Sequence, residues 1–137
     1  MSEEIVARDE WSQIVFHDEW DSLELRWLPS TADATDADLK AAMETFAREG
    51  VNRHPHTLIV DTTDFRHAWG DGFMEWRNSE IIPLYNEAGV VKFAFIANPN
   101  YPGPTVEAGA APAPEGPATF PTGWFRTREA AYEWLAS

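Results

Sequence analysis

Residues that could do chemistry are concentrated in one stretch, residues 61–71. A histidine beside a carboxylate is the pair that general acid–base catalysis uses, so an enzyme using His67 with Asp61 or Asp64 is one reading. The hydroxyls nearby are those of Thr62 and Thr63, and the chain has no GxSxG, P-loop or GxGxxG motif. We therefore predict no catalytic residues and rank an enzyme third among the functions considered.

The same stretch is better placed for binding than for catalysis. It follows a short apolar run at residues 57–60 and precedes a predicted helix, and ligands of open α/β sheets bind where strands end in this way. Amide groups at a helix start attract anions, but three aspartates crowd the same loop. A purely structural role for the stretch also stays open, with Asp61 satisfying loop amides, Asp71 capping the helix and Trp69 packing as a lid. The predicted ligand- or partner-binding residues are Asp61, Thr62, Asp64, Arg66, His67, Trp69, Asp71 and Trp76.

Two histidines, His54 and His56, are spaced so that an extended chain would project both to one side. A bound metal needs further ligands and partners that hold them, and the sequence fixes none. The chain has no cysteine, which excludes thiolate ligands and disulfides. We predict neither a metal site nor a cofactor.

Aromatic residues are more frequent in connecting segments than a core requires. Trp20, Trp69, Tyr101 and Phe120 all fall between predicted elements. These rings could form a partner patch, or they could fasten a long loop to the domain. A third reading is a carrier of an apolar small molecule, in which Trp69, Trp76, Tyr101 and Phe120 would line an enclosed cavity.

The elements that would position these residues alternate between strands and helices. Apolar and alternating patterns predict strands at residues 11–17, 22–27, 57–60, 90–96 and 123–125. Caps and helical spacing predict three helices: one from the Thr35 cap to Gly50, one from the Asp71 cap to Gly89, and one after the Thr127 cap. Pro83 should kink or break the second of these.

Two segments lie outside this pattern. Residues 1–10 are predicted to be a polar lead-in, and residues 98–122, rich in proline, glycine and alanine, a long loop. The fold class expected is α/β, with a single-layer, mixed but mostly parallel sheet of about five strands and helices packed on it. A length of 137 residues suits a single domain, residues 1–137.

Net charge and hydropathy limit the classes of partner and the cellular location that we expect. The net charge is −13, and no basic cluster is present to displace counterions from phosphate, so nucleic acid and anionic membrane surfaces are excluded as partners. No apolar run approaches the roughly 20 residues of a membrane span, and the first residues show no secretory signal. We therefore expect a cytoplasmic protein, with a homodimer among the assemblies open to it.

Three stretches give the chain a family resemblance: "LELRWLPSTADATDADL", "TLIVDTTDFRHAWGDGFMEW…IIPLYNEAGVVKFAFI" and "WFRTREAAYEWL". In order and spacing they resemble STAS-like domains, the fold of bacterial anti-sigma-factor antagonists, which is sometimes grouped with the CRAL-TRIO lipid carriers. The resemblance implies a mixed α/β fold. A phosphoswitch antagonist carries an acceptor serine at the start of the helix after the middle strand, and the matching residues 68–72 have no hydroxyl.

The function that these observations predict is non-catalytic. We expect a STAS-like binding or regulatory domain that recognises a partner protein or a small ligand at residues 61–71, flanked by the proline-rich loop. The apolar carrier is the alternative.

Overall fold

A single β-sheet forms the centre of the fold. A computed structural model describes residues 3–96 and 111–137, and within them seven strands form one sheet in the order β1-β2-β3-β4-β5-β7-β6. The strands are β1 Glu3–Arg8, β2 Ser12–His17, β3 Ser22–Trp27, β4 Thr57–Asp61, β5 Lys92–Ile96, β6 Ala113–Pro114 and β7 Pro121–Phe125.

The predicted α/β class with a mixed sheet is confirmed, and helices pack on the sheet. The expected mostly parallel arrangement is only approximate, because three of the six strand pairings among the described residues are antiparallel. β2 and β3 form the expected antiparallel hairpin, with Ile14 opposite Leu25. From β3 through β4 and β5 to β7 the strands run parallel. The count of about five strands was short by two, because the antiparallel edge strands β1 and β6 were not recognised.

β1 corrects the prediction of a polar lead-in at residues 1–10. An edge strand has a neighbour on one side only, and β1 is mostly exposed, so its sequence shows no apolar run. Its register with β2 shifts between Ile5 and Ala7, a bulge that interrupts the period-two pattern. The sequence of β1 therefore shows neither an apolar run nor a regular alternation of apolar and polar residues.

The first helix, α1 Asp36–Arg53, begins as predicted. The Thr35 hydroxyl accepts from the Asp38 amide, and the Asp38 carboxylate accepts from the Thr35 amide, which completes a capping box. The helix does not stop at Gly50. It continues to Arg53 and ends at His54, which adopts φ 48°, while Gly50 is buried, and a Cβ added there would lie 3.6 Å from the Ala88 Cβ. Gly50 is therefore a packing position rather than a terminator.

The second helical segment spans residues 73–88 and is irregular, as Pro83 led us to expect. It consists of α2 Phe73–Trp76, a π-helical turn Arg77–Ile81, and α3 Ile82–Ala88. Its cap is Gly72 at φ 84°, without a side-chain hydrogen bond, so the prediction of Asp71 as N-cap was wrong. Gly89 at φ 78° ends the segment as predicted.

The two faces of the sheet are covered unequally. α1 and the segment 73–88 bury one face, which carries the larger core, including Leu25, Val60 and Phe93. The other face is covered by the last helix, α4 Arg128–Ala136, capped by Thr127 as predicted. Its apolar contact is small and comprises Ile59, Ala94, Ile96, Ala131 and Leu135.

Most of the predicted loop 98–122 falls outside the described residues. The remainder corrects the prediction, because it contains β6 and the first residues of β7, and Phe120 is buried in the larger core 6.0 Å from Phe93. Tyr101 lies outside the described residues. In the described ranges, no helix combines the length and the apolar character that crossing a bilayer requires.

Candidate functional site

Residues 61–71 connect β4 to α2, at the carboxyl end of the parallel strands. The Asp61 carboxylate accepts from the Thr63 amide at 2.9 Å and from Arg128 at 2.5 Å. Thr62 is buried, and its hydroxyl donates to the Ile96 carbonyl at 2.5 Å. Among the predicted binding residues, Asp61 and Thr62 thus have structural contacts that fix the start of the loop.

The middle of the loop is tied to the start of α1. His67 Nε2 lies 2.5 Å from Asp36 Oδ1, and the Gly70 amide donates to Asp36 Oδ2 at 2.9 Å. The hydrogen bonds to His67 and Gly70 hold the pKa of Asp36 below its ordinary value. The pairing of His67 with Asp61 or Asp64, which the third-ranked enzyme reading required, is replaced by the contact between His67 and Asp36.

Of the remaining predicted residues, three side chains are exposed: those of Asp64, Arg66 and Asp71. The Arg66 amide donates to the Thr31 hydroxyl at 2.8 Å, so its backbone is held while its side chain is not. Trp76 lies further along on α2, where its ring is 5.1 Å from Lys40 Nζ. The charged side chains of Asp64, Arg66 and Asp71 are therefore spread along the loop and do not converge on one point.

Trp69 forms the apolar feature of the loop. Its ring stacks on Phe73 with centroids 3.9 Å apart and also lies 5.8 Å from Phe65. Beside it, Met74 is 37% exposed. An open groove of about 260 Å³, here the Trp69 groove, is lined by Trp69, Gly70, Gly72, Phe73, Met74 and Glu75.

A second polar arrangement lies on the opposite face and was not predicted. Glu24, in the middle of β3, has no exposed surface. Its carboxylate accepts from His17 Nε2 at 2.6 Å, Arg26 Nε at 2.7 Å and Arg128 Nη2 at 2.9 Å. We name Glu24, His17, Arg26 and Arg128 the Glu24 network.

Further contacts extend the Glu24 network at both ends. Arg26 donates two hydrogen bonds of 3.0 Å to Glu3 on β1. Arg128 bonds Asp61 and contacts the Tyr132 hydroxyl. Trp20 closes the arrangement from outside, since its ring lies 4.9 Å from that of His17 and 4.3 Å from that of Tyr132.

The Glu24 carboxylate stays ionised in this network. Burial raises the pKa of Glu24, but hydrogen bonds from His17, Arg128 and Arg26 outweigh burial and lower it to about 2. Burial lowers the pKa of Arg128, and the bond to Glu24 more than reverses this. His17 is 4% exposed beneath Trp20. A carboxylate that stays ionised and a histidine closed off from solvent do not suit proton transfer to a substrate, so the network serves to hold β3 and α4 together.

Sequence reasoning missed Glu24 because alternation made it resemble a solvent-facing position. Leu23 and Leu25 point to the larger core, so Glu24 and Arg26 must share the opposite face. The sequence did contain one indication of this network, because Glu24 and Arg26 carry opposite charges and lie two residues apart on one strand. The third partner, Arg128, is 104 residues away in sequence and could not have been identified without the fold.

The two histidines considered for metal binding have other surroundings. His54 ends α1, and its Nδ1 lies 3.0 Å from the Ala88 carbonyl. Among the residues in the described ranges, no three or more histidine, aspartate or glutamate side chains are grouped so that they could hold a metal ion.

No protein-family model matches this chain, and no curated protein or solved structure matches it either. The resemblance to STAS-like domains therefore depends on the sequence motifs alone.

Proposed function

We propose that this chain is a non-catalytic binding domain that recognises an apolar segment of a partner protein at the Trp69 groove. The observation that carries the proposal is the pairing of Trp69, stacked on Phe73 at 3.9 Å, with the exposed side chain of Met74 beside it. Aromatic rings and methionine are typical of the central contacts of protein interfaces.

Hydrogen bonds fasten the turn that carries the Trp69 groove. Asp36 holds both His67 and the Gly70 amide, so the turn that carries Trp69 is fastened to the start of α1. A side chain that is already ordered loses little entropy on binding. The stacking and these two hydrogen bonds therefore favour recognition by a preformed surface.

A partner protein fits this surface better than the other occupants considered. Small-molecule sites enclose most of their ligand, whereas the Trp69 groove is open. The same openness disfavours the apolar carrier, which needs an enclosed cavity. Resemblance to the fold of anti-sigma-factor antagonists supports partner binding as well, although residues 68–72 lack a hydroxyl and a phosphoswitch is not part of the proposal.

The test is selection of short random peptides displayed on phage against the wild-type chain, with binders to Trp69→Ala removed. We expect selected peptides to share aliphatic or aromatic residues and, as synthetic peptides in calorimetry, to bind Met74→Ser at least about tenfold more weakly. Val91→Ser is the matched control, because Val91 is 45% exposed and lies outside the groove lining.

Selected peptides that bind Met74→Ser as tightly as the wild type would contradict the proposal, and so would a selection that yields no binder. Thermal midpoints of the variants accompany each titration. A large fall for Trp69→Ala would assign Trp69 to the core, and the Met74→Ser comparison would then decide the question.

A further inference from the structure

We propose that a second groove, between α4 and the edge of β7, binds an extended segment of a partner protein that carries lysine or arginine. This α4 groove has a volume of about 670 Å³ and is lined by Phe125, Thr127, Glu129, Ala130, Glu133, Trp134 and Ser137. It lies on the face of the sheet opposite α1 and is separate from the Trp69 groove, so the inference does not depend on the proposed function.

The two flanks of α4 differ in charge and in partners. Arg128 and Tyr132 point to the Glu24 network. Glu129 and Glu133, four residues apart, line the α4 groove and are exposed. In the part of the chain that the structure describes, no basic side chain lies within ion-pair distance of either glutamate.

Two glutamates of α1, one exposed and one half-buried, provide a contrast. Glu44 and Glu49 each have an arginine four residues along the helix, at 3.8 and 3.1 Å. The carboxylates of the α4 groove have no such intramolecular neighbour. In a chain with a net charge of −13, a partner that carries lysine or arginine would supply a complementary cation to these two carboxylates.

Aromatic rings form the floor of the α4 groove. Phe125 and Trp134 lie with centroids 5.5 Å apart. A Cβ at Gly123 would lie 2.6 Å from the Phe125 ring and 3.3 Å from Trp134, so a larger residue at this position would displace the Phe125 ring. Lys92 Nζ lies 5.2 Å from the Trp134 centroid, within the range of a cation–π contact.

Lysine and arginine match both parts of this groove. Their aliphatic stems pack along aromatic faces while their charged ends remain in solvent, and here the charged ends would meet Glu129 and Glu133. A neutral apolar segment would leave both carboxylates without a cation, and an acidic segment would be repelled.

The edge of β7 explains why the segment should be extended. β6 pairs with β7 only at Pro121 and Thr122, and Pro112, the residue before β6, has no N–H to continue the ladder. Within the described residues, β7 has no strand partner on this side beyond Thr122. An added strand beside this edge would direct alternate side chains over the aromatic floor.

The experiment measures fluorescence anisotropy of a labelled peptide of alternating lysine and valine, with a twin peptide that has glutamate for lysine. The full chain is titrated as wild type, as Glu129→Gln/Glu133→Gln, and as Glu80→Gln/Glu87→Gln. The last is the matched control, because both of its positions are exposed and lie on the segment 73–88, on the opposite face. Each double variant removes the same charge.

We expect the lysine peptide to bind and the glutamate peptide not to bind. Loss of the two groove carboxylates should weaken binding about tenfold, while the control should change it less than about twofold. Equal weakening by both double variants would show a general attraction to an acidic protein and would overturn the proposal. Failure of the lysine peptide to bind would overturn it as well.

A change at the other groove separates the two proposals. Trp69→Ala should leave the affinity for the lysine peptide unchanged. If Trp69→Ala abolished this binding, the site would be the Trp69 groove and not the α4 groove.

Discussion

Replacing Glu24 with glutamine removes the charge at the centre of the Glu24 network while nearly preserving the volume of the side chain. Oε1 accepts from His17 and Arg128, and Oε2 from Arg26. An amide nitrogen in either place would face a donor, so one set of bonds is lost whichever way the glutamine lies. Removing one member of a buried ionic arrangement typically costs about 3–5 kcal/mol.

The lowered pKa of Glu24 gives a second estimate of how much its charge stabilises the fold. Folding lowers the pKa of Glu24 from 4.5 to about 2, and at about 1.4 kcal/mol per pKa unit this corresponds to about 3 kcal/mol. The depressed value means that the stabilisation is complete above pH 4.5 and is lost as the pH falls towards 2. We therefore expect Glu24→Gln to lower the free energy of unfolding by about 3 kcal/mol at neutral pH and by much less near pH 2.

Urea denaturation at neutral and acidic pH, followed by tryptophan fluorescence, measures both effects, with Glu4→Gln as control. Glu4 is exposed on β1, so its replacement should change the free energy of unfolding by less than about 0.5 kcal/mol. A Glu24→Gln deficit of the same size at acidic and neutral pH would refute the ionic origin of the effect. A deficit below about 1 kcal/mol at neutral pH would refute the magnitude.

Two further predictions concern caps and turns, both checked by urea denaturation. Thr35→Ala breaks the capping box of α1 and should cost about 1 kcal/mol, whereas Thr45→Ala, on the exposed surface of the same helix, should be neutral or slightly stabilising. If Thr35→Ala lowered the free energy of unfolding no more than Thr45→Ala, the stabilising role assigned to the capping box would be contradicted. Gly72→Ala forces a Cβ into φ 84° and should cost about 1 kcal/mol, while Gly50→Ala, whose Cβ would meet Ala88 at an ordinary 3.6 Å, should be neutral or stabilising. Equal costs at both glycines would contradict the strain argument.

Sequence patterns predicted the elements that depend on local chemistry. The hairpin alternation of β2 and β3, the Thr35 and Thr127 caps, and the irregularity before Pro83 are all present. The errors are at places where tertiary contacts override local preference. Gly50 is buried inside a helix that continues to Arg53, and β1 forms by pairing with the edge of β2.

The candidate site was predicted in part. Proximity in sequence located the loop and its half-buried tryptophan, Trp69. Sequence did not indicate that His67 would bond to Asp36, because that partner is 31 residues away. Contacts of that range depend on how β4 and α1 are arranged, and charge or periodicity in a single segment carries no information about them.

The Glu24 carboxylate also has a consequence for how the fold comes apart. Through Arg26 it reaches Glu3 on β1, and through Arg128 it reaches α4, so the first and last described elements share one anchor. Peripheral elements usually fray independently of each other. Here, opening of either element disturbs the same buried charge and thereby weakens the other, so amide exchange in β1 and α4 should behave as one cooperative unit despite their separation along the chain.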